Sequence, residues 1–288
     1  MYTFQIKIIE FIQQIRSPFA DEIFKFLNLF DTQIFYFILI PMIWIGYNYK
    51  FGIKLFFIIM LSAIINEFLK NLFHQPRPYI IDPSLAVIHV YSRYGLPSGA
   101  AQSAILLPLV FINYFKQKKW PIIWGTNFFF WISLSRLYLG VHFVTDLLAG
   151  WAIGFSLFLI YLYIFPLIEK LIKKYNPNYV LLVCQIPILL LYFIPKLERD
   201  FFILSSVMLG IFLSNRYSMF LKNPKNGKEF FIRAIFSVAG VFLISLLTYL
   251  IRFEVKLFTI NIGSYVMGLW ISFLCPYFYK RYFIPHKK

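Results

Sequence analysis

Apolar runs of roughly twenty residues, broken by short polar or proline-containing stretches, recur from residue 33 onward. Nine segments fit the pattern: Gln33 to Asn48, Phe51 to Phe73, Ser98 to Phe115, Trp120 to Tyr138, His142 to Phe165, Asn178 to Pro195, Phe201 to Asn215, Phe231 to Ile251 and Phe258 to Tyr279. A helix rising about 1.5 Å per residue needs about 20 apolar residues to cross ~30 Å of hydrocarbon. The pattern therefore predicts an all-α, polytopic transmembrane helical bundle of about nine spans, with five to six helices forming a core. The stretch from Met1 to Arg16 differs, because Gln5, Lys7, Glu10, Gln13 and Gln14 interrupt its apolar residues. It predicts an amphipathic helix lying in the membrane interface, not a cleavable signal. Three regions follow: residues 1–32 as an interfacial N-terminal segment, 33–175 as the transmembrane core, and 176–288 as additional transmembrane helices. The polar connection from Arg216 to Glu229, with Asn223-Pro224-Lys225-Asn226-Gly227, reads as a surface turn.

Composition removes the soluble alternative. Hydrophobic residues make up 60% of the 288 and charged residues only 14%, which leaves too little polar surface to cover a fold in water. The net charge of +16 could point to nucleic acid, but its Lys and Arg are spread over short loops and do not form one basic face. Sorted into alternate loops, sixteen basic residues fall in the set holding Lys50, Lys116, Lys170, Lys222 and Lys280, against eleven in the other. Cytoplasmic loops hold the excess of Lys and Arg. The loops after the second and fourth segments, about Tyr79 to Tyr94 and around Arg136, are thus expected on the non-cytoplasmic side, in a bacterial inner membrane or an organelle membrane. Cys184 and Cys275 lie inside separate apolar runs and read as small buried hydrophobes, with no metal or disulfide spacing.

Three polar clusters lie at segment ends on that outward side: Lys70-x6-Arg77-Pro78, Pro97-Ser98-Gly99-Ala100 and Ser135-Arg136-x5-His142-x3-Asp146. Separately each has a plain explanation. Lys70 and Arg77 could be cations at a membrane boundary, Ser98 an N-cap, and His142 with Asp146 a pair one helical turn apart. Together they hold the parts that phosphoryl transfer needs, since a phosphoryl group in transit spreads negative charge over three oxygens. Lys70, Arg77 and Arg136 supply cations, and the helix start at Ser98 and Gly99 supplies free N–H groups and a favourable dipole. His142 is the candidate nucleophile, with Asp146 accepting from Nδ1 and leaving Nε2 unprotonated.

The order and spacing of these clusters, from Lys70 to Asp146, resemble the signature of the type 2 phosphatidic acid phosphatase superfamily. The resemblance implies a metal-free, cofactor-free two-step hydrolysis. His142 would attack phosphorus to give a phosphohistidine, Asp146 would orient it, and Lys70, Arg77, Ser98, Gly99, Ser135 and Arg136 would surround the phosphate. One position departs from the pattern: the second motif ends in the general-acid histidine, and here Ala100 stands in its place. Loss of a general acid costs ~10² to 10⁴ in rate. Ala100 therefore reads as an inactivating replacement that would trap a substrate, with a naturally non-hydrolysing relative as the second explanation. His74 and His89 lie nearby without the right spacing and are expected at the interface.

Motifs at helix ends beside the bilayer suit a phosphate head group whose tail stays in lipid. The expected partner is a membrane lipid carrying a phosphate or diphosphate, of polyprenyl diphosphate, phosphatidate or sphingoid phosphate type, and no nucleic acid. A lipid phosphotransferase, a non-catalytic lipid-phosphate binder or carrier, and an activity on soluble sugar phosphates are the other readings. The segments after Asn178 resemble the longer arrangement of sphingosine phosphate phosphatases and glucose-6-phosphatases more than that of six-span lipid phosphatases.

Overall fold

The computed structural model describes residues 2–90, 92–194, 196–251 and 256–283, and among these the secondary structure is helical. Arg252, Lys287 and Lys288, three of the basic residues counted in the loops, and Pro195, which ended the sixth apolar run, lie outside the described residues. Every apolar run maps onto helix, but the number long and apolar enough to cross a membrane is four: Tyr49–Phe73, Val144–Ile172, Gly227–Ile251 and Thr259–Phe283. It becomes five if Pro18–Asp31 and Gln33–Tyr47 form one broken span. The expectation of nine thus exceeds the helices that meet the length and hydropathy requirement. Gly99–Tyr114 has 16 residues, about 24 Å of helix against ~30 Å of hydrocarbon. Trp120–Tyr138 and Glu198–Arg216 are long enough but carry charged and hydroxyl residues along their length. The apolar helices are those of an integral membrane protein.

The chain divides into two compact units, one formed by residues 1–35 and 58–165, the other by 36–57 and 166–288. In the first, α1 (Tyr2–Gln13) lies within the stretch expected to be helical, and a second helix, α2 (Pro18–Asn28), follows it. The break has a local cause: Ser17 caps α2 by accepting from the Ala20 N–H at 3.2 Å, and Pro18 occupies the first turn, where its missing N–H costs nothing. A short turn follows at Leu29–Asp31. The long helix α4 (Tyr49–Phe73) then leads to a brief α5 (Pro78–Ile81).

α6 (Gly99–Tyr114) packs against α7 (Trp120–Tyr138) and α8 (Val144–Leu159). The α6–α8 approach is close because α8 presents glycines one turn apart, Gly150 and Gly154. A Cβ on Gly150 would stand 2.5 Å from the Ser98 carbonyl oxygen. Phe24, Tyr138, Leu139 and Val141 form one buried cluster, and Ile9, Leu85 and Phe143 another. Both clusters pin N-terminal residues against the ends of α7 and α8.

The second unit is built on α11 (Glu198–Arg216) and α13 (Lys256–Leu269), with α10 (Pro177–Leu190) beside α11. Two of its polar groups pair across helices: Ser214 Oγ donates to the Ser272 carbonyl at 2.6 Å and Trp270 Nε1 to the Ser237 carbonyl at 3.0 Å. Of the two cysteines only Cys275 is buried, and Cys184 is partly exposed.

Candidate active site

The first unit gathers the three polar clusters at adjoining helix ends. α7 stops at Tyr138 because Gly140 takes a left-handed φ of +69°, closing the turn that carries Val141, His142 and Phe143 into α8. His142 precedes α8, whose first helical residue is Val144, so the pair with Asp146 is not formed within a helix as its spacing had implied. It forms through a cap. Asp146 Oδ2 accepts from the Phe143 N–H at 3.0 Å and meets His142 Nδ1 at 3.2 Å. The other oxygen, Oδ1, accepts from Gln75 Nε2 at 2.9 Å.

His142 Nε2 lies 3.1 Å from Arg77 Nη1. A guanidinium can only donate, so Nε2 is the accepting nitrogen and the ring proton sits on Nδ1, toward Asp146. The imidazole is held well below its usual pKa, first by burial and then by the charges of Arg77, Lys70 and Arg136. Arg77 is itself fixed, with Nη1 also donating to the Val141 carbonyl at 2.8 Å and Nε to the Ser92 carbonyl at 2.6 Å.

Arg136 is almost fully buried. Its Nη1 faces Asn28 Oδ1 at 2.8 Å and Asp31 Oδ2 at 3.1 Å, while Nε and Nη2 lie 3.1 and 3.0 Å from Ser135 Oγ. Ser135 in turn donates to the Ile132 carbonyl at 2.7 Å. Lys70, in the last turn of α4, is close enough to Arg77 and Asp146 to feel both charges, yet makes no hydrogen bond or ion pair among the described residues.

Ser98 is the N-cap of α6: its hydroxyl accepts from the Ala101 N–H at 3.3 Å. Its own N–H donates to the Asp146 carbonyl at 3.0 Å, which ties the second cluster directly to the third. The first-turn N–H groups of Gly99 and Ala100 lie beyond the reach of intrahelical acceptors. Ala100 is buried, with 1% of its surface exposed. Beneath this helix start, Asn66 Nδ2 donates to the Pro97 carbonyl at 3.2 Å and to Gln102 Oε1 at 3.1 Å, and Gln102 Nε2 to Ser62 Oγ at 2.6 Å.

Asn28, Asp31, Asn66, Gln75 and Gln102 were not singled out from the sequence. Asn66 and Gln102 did carry a signal, since amides inside apolar spans are expensive unless paired. His74 and His89 are exposed and lie ring to ring with Tyr94 and Tyr79 at 4.7 and 5.2 Å, away from the hydrogen bonds of the cluster. Among the described residues no group of three or more His, Cys, Asp or Glu is arranged to hold a metal.

Residues 51–170 match the PAP2 superfamily. The chain is 28% identical over 160 residues to dihydrosphingosine 1-phosphate phosphatase YSR3 of Saccharomyces cerevisiae, over 52% of this chain and 39% of that protein. It is 31% identical over 110 residues to undecaprenyl-diphosphatase of Sulfolobus acidocaldarius, over 36% of this chain and 50% of that one. The chain thus spans half or less of the length of these two relatives. Among solved structures, Aquifex aeolicus LpxE is similar with a TM-score of 0.50 and 25% identity, covering 55% of this chain and 94% of that one.

Proposed function

Because residues 51–170 are a PAP2 superfamily domain, we propose that this integral membrane protein is a lipid phosphate phosphatase acting through a phosphohistidine on His142. One observation carries the reading: the His142 ring is held between Asp146 at Nδ1 and Arg77 at Nε2, 3.2 and 3.1 Å away. That arrangement sets the tautomer, keeps the ring neutral and aims its lone pair at a cation. A phosphoryl group entering between Arg77, Lys70 and Arg136 would exchange the Arg77 contact for phosphorus at Nε2. Its oxygens would take the guanidinium edges, the Ser98 and Ser135 hydroxyls and the free N–H groups at the start of α6.

The names of the relatives support a lipid head group: one acts on a sphingoid phosphate, another on a polyprenyl diphosphate. The tail would remain in the bilayer and the site would open on the non-cytoplasmic side, opposite the loops richest in Lys and Arg. Ala100 favours a second reading, a lipid-phosphate binder or carrier that does not turn over, because a methyl group cannot protonate a leaving alkoxide.

Phosphate release from lipid phosphates in vesicles, by the chain and by Ala100→His, separates the two. The phosphatase reading expects Ala100→His to release phosphate at a rate that His142→Ala abolishes. Lipid binding with no turnover in either form would leave the binder, and transfer of label to a second lipid without free phosphate would indicate a phosphotransferase.

A further inference from the structure

We infer that Ala100 makes this site selective for lipid diphosphates, whose leaving group is itself a phosphate, over phosphomonoesters that must expel an alkoxide. The inference rests on the phosphatase reading above and deepens it by naming the leaving group.

Among the described residues no hydrogen-bonded side-chain acid takes the place of the missing imidazole. Both oxygens of Asp146 are occupied as acceptors, by Gln75 at one and by Phe143 and His142 at the other. The Ser135 hydroxyl donates to the Ile132 carbonyl, and the two other described histidines meet tyrosine rings edge to face, away from the hydrogen bonds of the cluster. What the site keeps is charge: two buried guanidinium groups, and an ammonium on Lys70 with no hydrogen-bonded partner among the described residues.

With the imidazole of the second cluster absent and the remaining positive charge facing the phosphate oxygens, the site discriminates by leaving-group basicity. An alkoxide is a strong base like hydroxide and needs a proton as it departs. A lipid monophosphate has its second pKa near ~6 and departs as a stable anion, needing only neutralisation of charge.

The step balances without an acid. His142 Nε2 attacks the terminal phosphorus, and the bond from that phosphorus to the bridging oxygen breaks, its electron pair staying on the oxygen. The lipid leaves as the monophosphate with no proton moved, and the phosphoimidazolium keeps its proton on Nδ1, hydrogen-bonded to Asp146 Oδ2. Water then adds to phosphorus, the P–N bond breaks with its pair returning to Nε2, and dihydrogen phosphate leaves with both hydrogens of the water.

The test uses the full chain in vesicles with two substrates sharing one polyprenyl tail, the diphosphate and the monophosphate. The chain should release phosphate from the diphosphate at least ~10² faster than from the monophosphate. Ala100→His should raise the monophosphate rate by ~10² to 10⁴ and the diphosphate rate by less than ~10. Equal gains on both substrates, equal rates on both, or no release from either by the unaltered chain would overturn the inference while leaving an active Ala100→His as a phosphatase. An Ala100→His protein that is folded, as judged by orthovanadate binding, yet inert on both substrates would overturn the phosphatase reading itself. Soluble aryl phosphates give a check independent of protein yield: rates should fall steeply with leaving-group pKa in the unaltered chain and shallowly in Ala100→His.

Discussion

Asp146 serves three donors with two oxygens, and its position explains how a histidine outside any helix becomes oriented. The Phe143 N–H fixes Oδ2 by capping α8, Gln75 fixes Oδ1, and the His142 Nδ1–H takes the remaining direction on Oδ2. In the Ala100→His background, Asp146→Asn should therefore lower phosphate release by ~10² to 10⁴, with substrate binding largely kept, because an amide cannot stabilise the imidazolium formed on attack. Single-turnover rates beside orthovanadate affinity measure the two effects separately. His142 also sets a pH dependence of stability. Its folded pKa is lowered well below the ~6.5 of an unfolded chain, so below that pH the unfolded state binds a proton that the folded state refuses. Stability should fall as pH drops below about 6.5 and show no His142 effect above it. Melting profiles of the chain and of His142→Gln should converge at neutral pH and diverge in acid, with the Gln variant losing less. That His142, Asp146, Arg77 and Arg136 lie near one another was readable in the sequence, because motif spacing groups the residues of a candidate site. Gln75, Asn28 and Asp31 were not, since their partners lie 71, 108 and 105 positions away and no local period records that.

The N-terminal helices are tied by hydrogen bonds to the third cluster. Gln5 is buried on α1 and its Oε1 accepts from the Thr145 N–H at 3.0 Å and the Thr145 hydroxyl at 3.1 Å, satisfying the exposed start of α8. Gln13 donates to the Leu85 and Tyr138 carbonyls, Asp21 accepts from the Tyr138 hydroxyl at 2.6 Å, and Asn28 and Asp31 hold Arg136. The opposite faces present Phe4, Phe11 and Phe19 with 70% or more of their surface exposed, a composition suited to the interfacial layer of a bilayer. Amphipathicity made a helix legible in this segment. It could not show that two of the polar residues interrupting the apolar ones, Gln5 and Gln13, turn inward to pair with backbone groups at the ends of α7 and α8, while Lys7, Glu10 and Gln14 are exposed. Gln5→Leu should remove an acceptor from two donors and cost about 1 to 3 kcal/mol. Gln5→Glu keeps the acceptor and should cost less. Thermal unfolding in detergent checks both, and equal melting temperatures for Gln5→Leu and the unaltered chain would detach α1 from the stability of α8.

At the scale of the molecule, the open physical question is how many helices cross the bilayer, because apolar composition and helix length answer it differently. α6 shows the conflict. Its 16 residues fall short of a full hydrocarbon thickness by about 6 Å, yet its N-terminal end carries Ser98 and the proposed phosphate-binding N–H groups while its C-terminal end leads into Lys116, Lys118 and Lys119. A short helix with a polar site at one end and a basic loop at the other is accommodated by thinning of the lipid around it, at a fraction of a kcal/mol per Å. Laying the same helix along the surface would expose Leu106, Leu107, Val110 and Phe111, all buried here against α7 and α8, at about 25 cal/mol per Å² of apolar area. The second cost is the larger, so α6 should cross. Cysteines introduced at Ser84 and Lys118, both exposed, in a chain with Cys184 and Cys275 replaced by alanine, should then be labelled by an impermeant maleimide from opposite sides of sealed vesicles. Labelling of both from one side would mean that only the long helices span, and would place the Ser98 end of α6 on the same face as its basic loop.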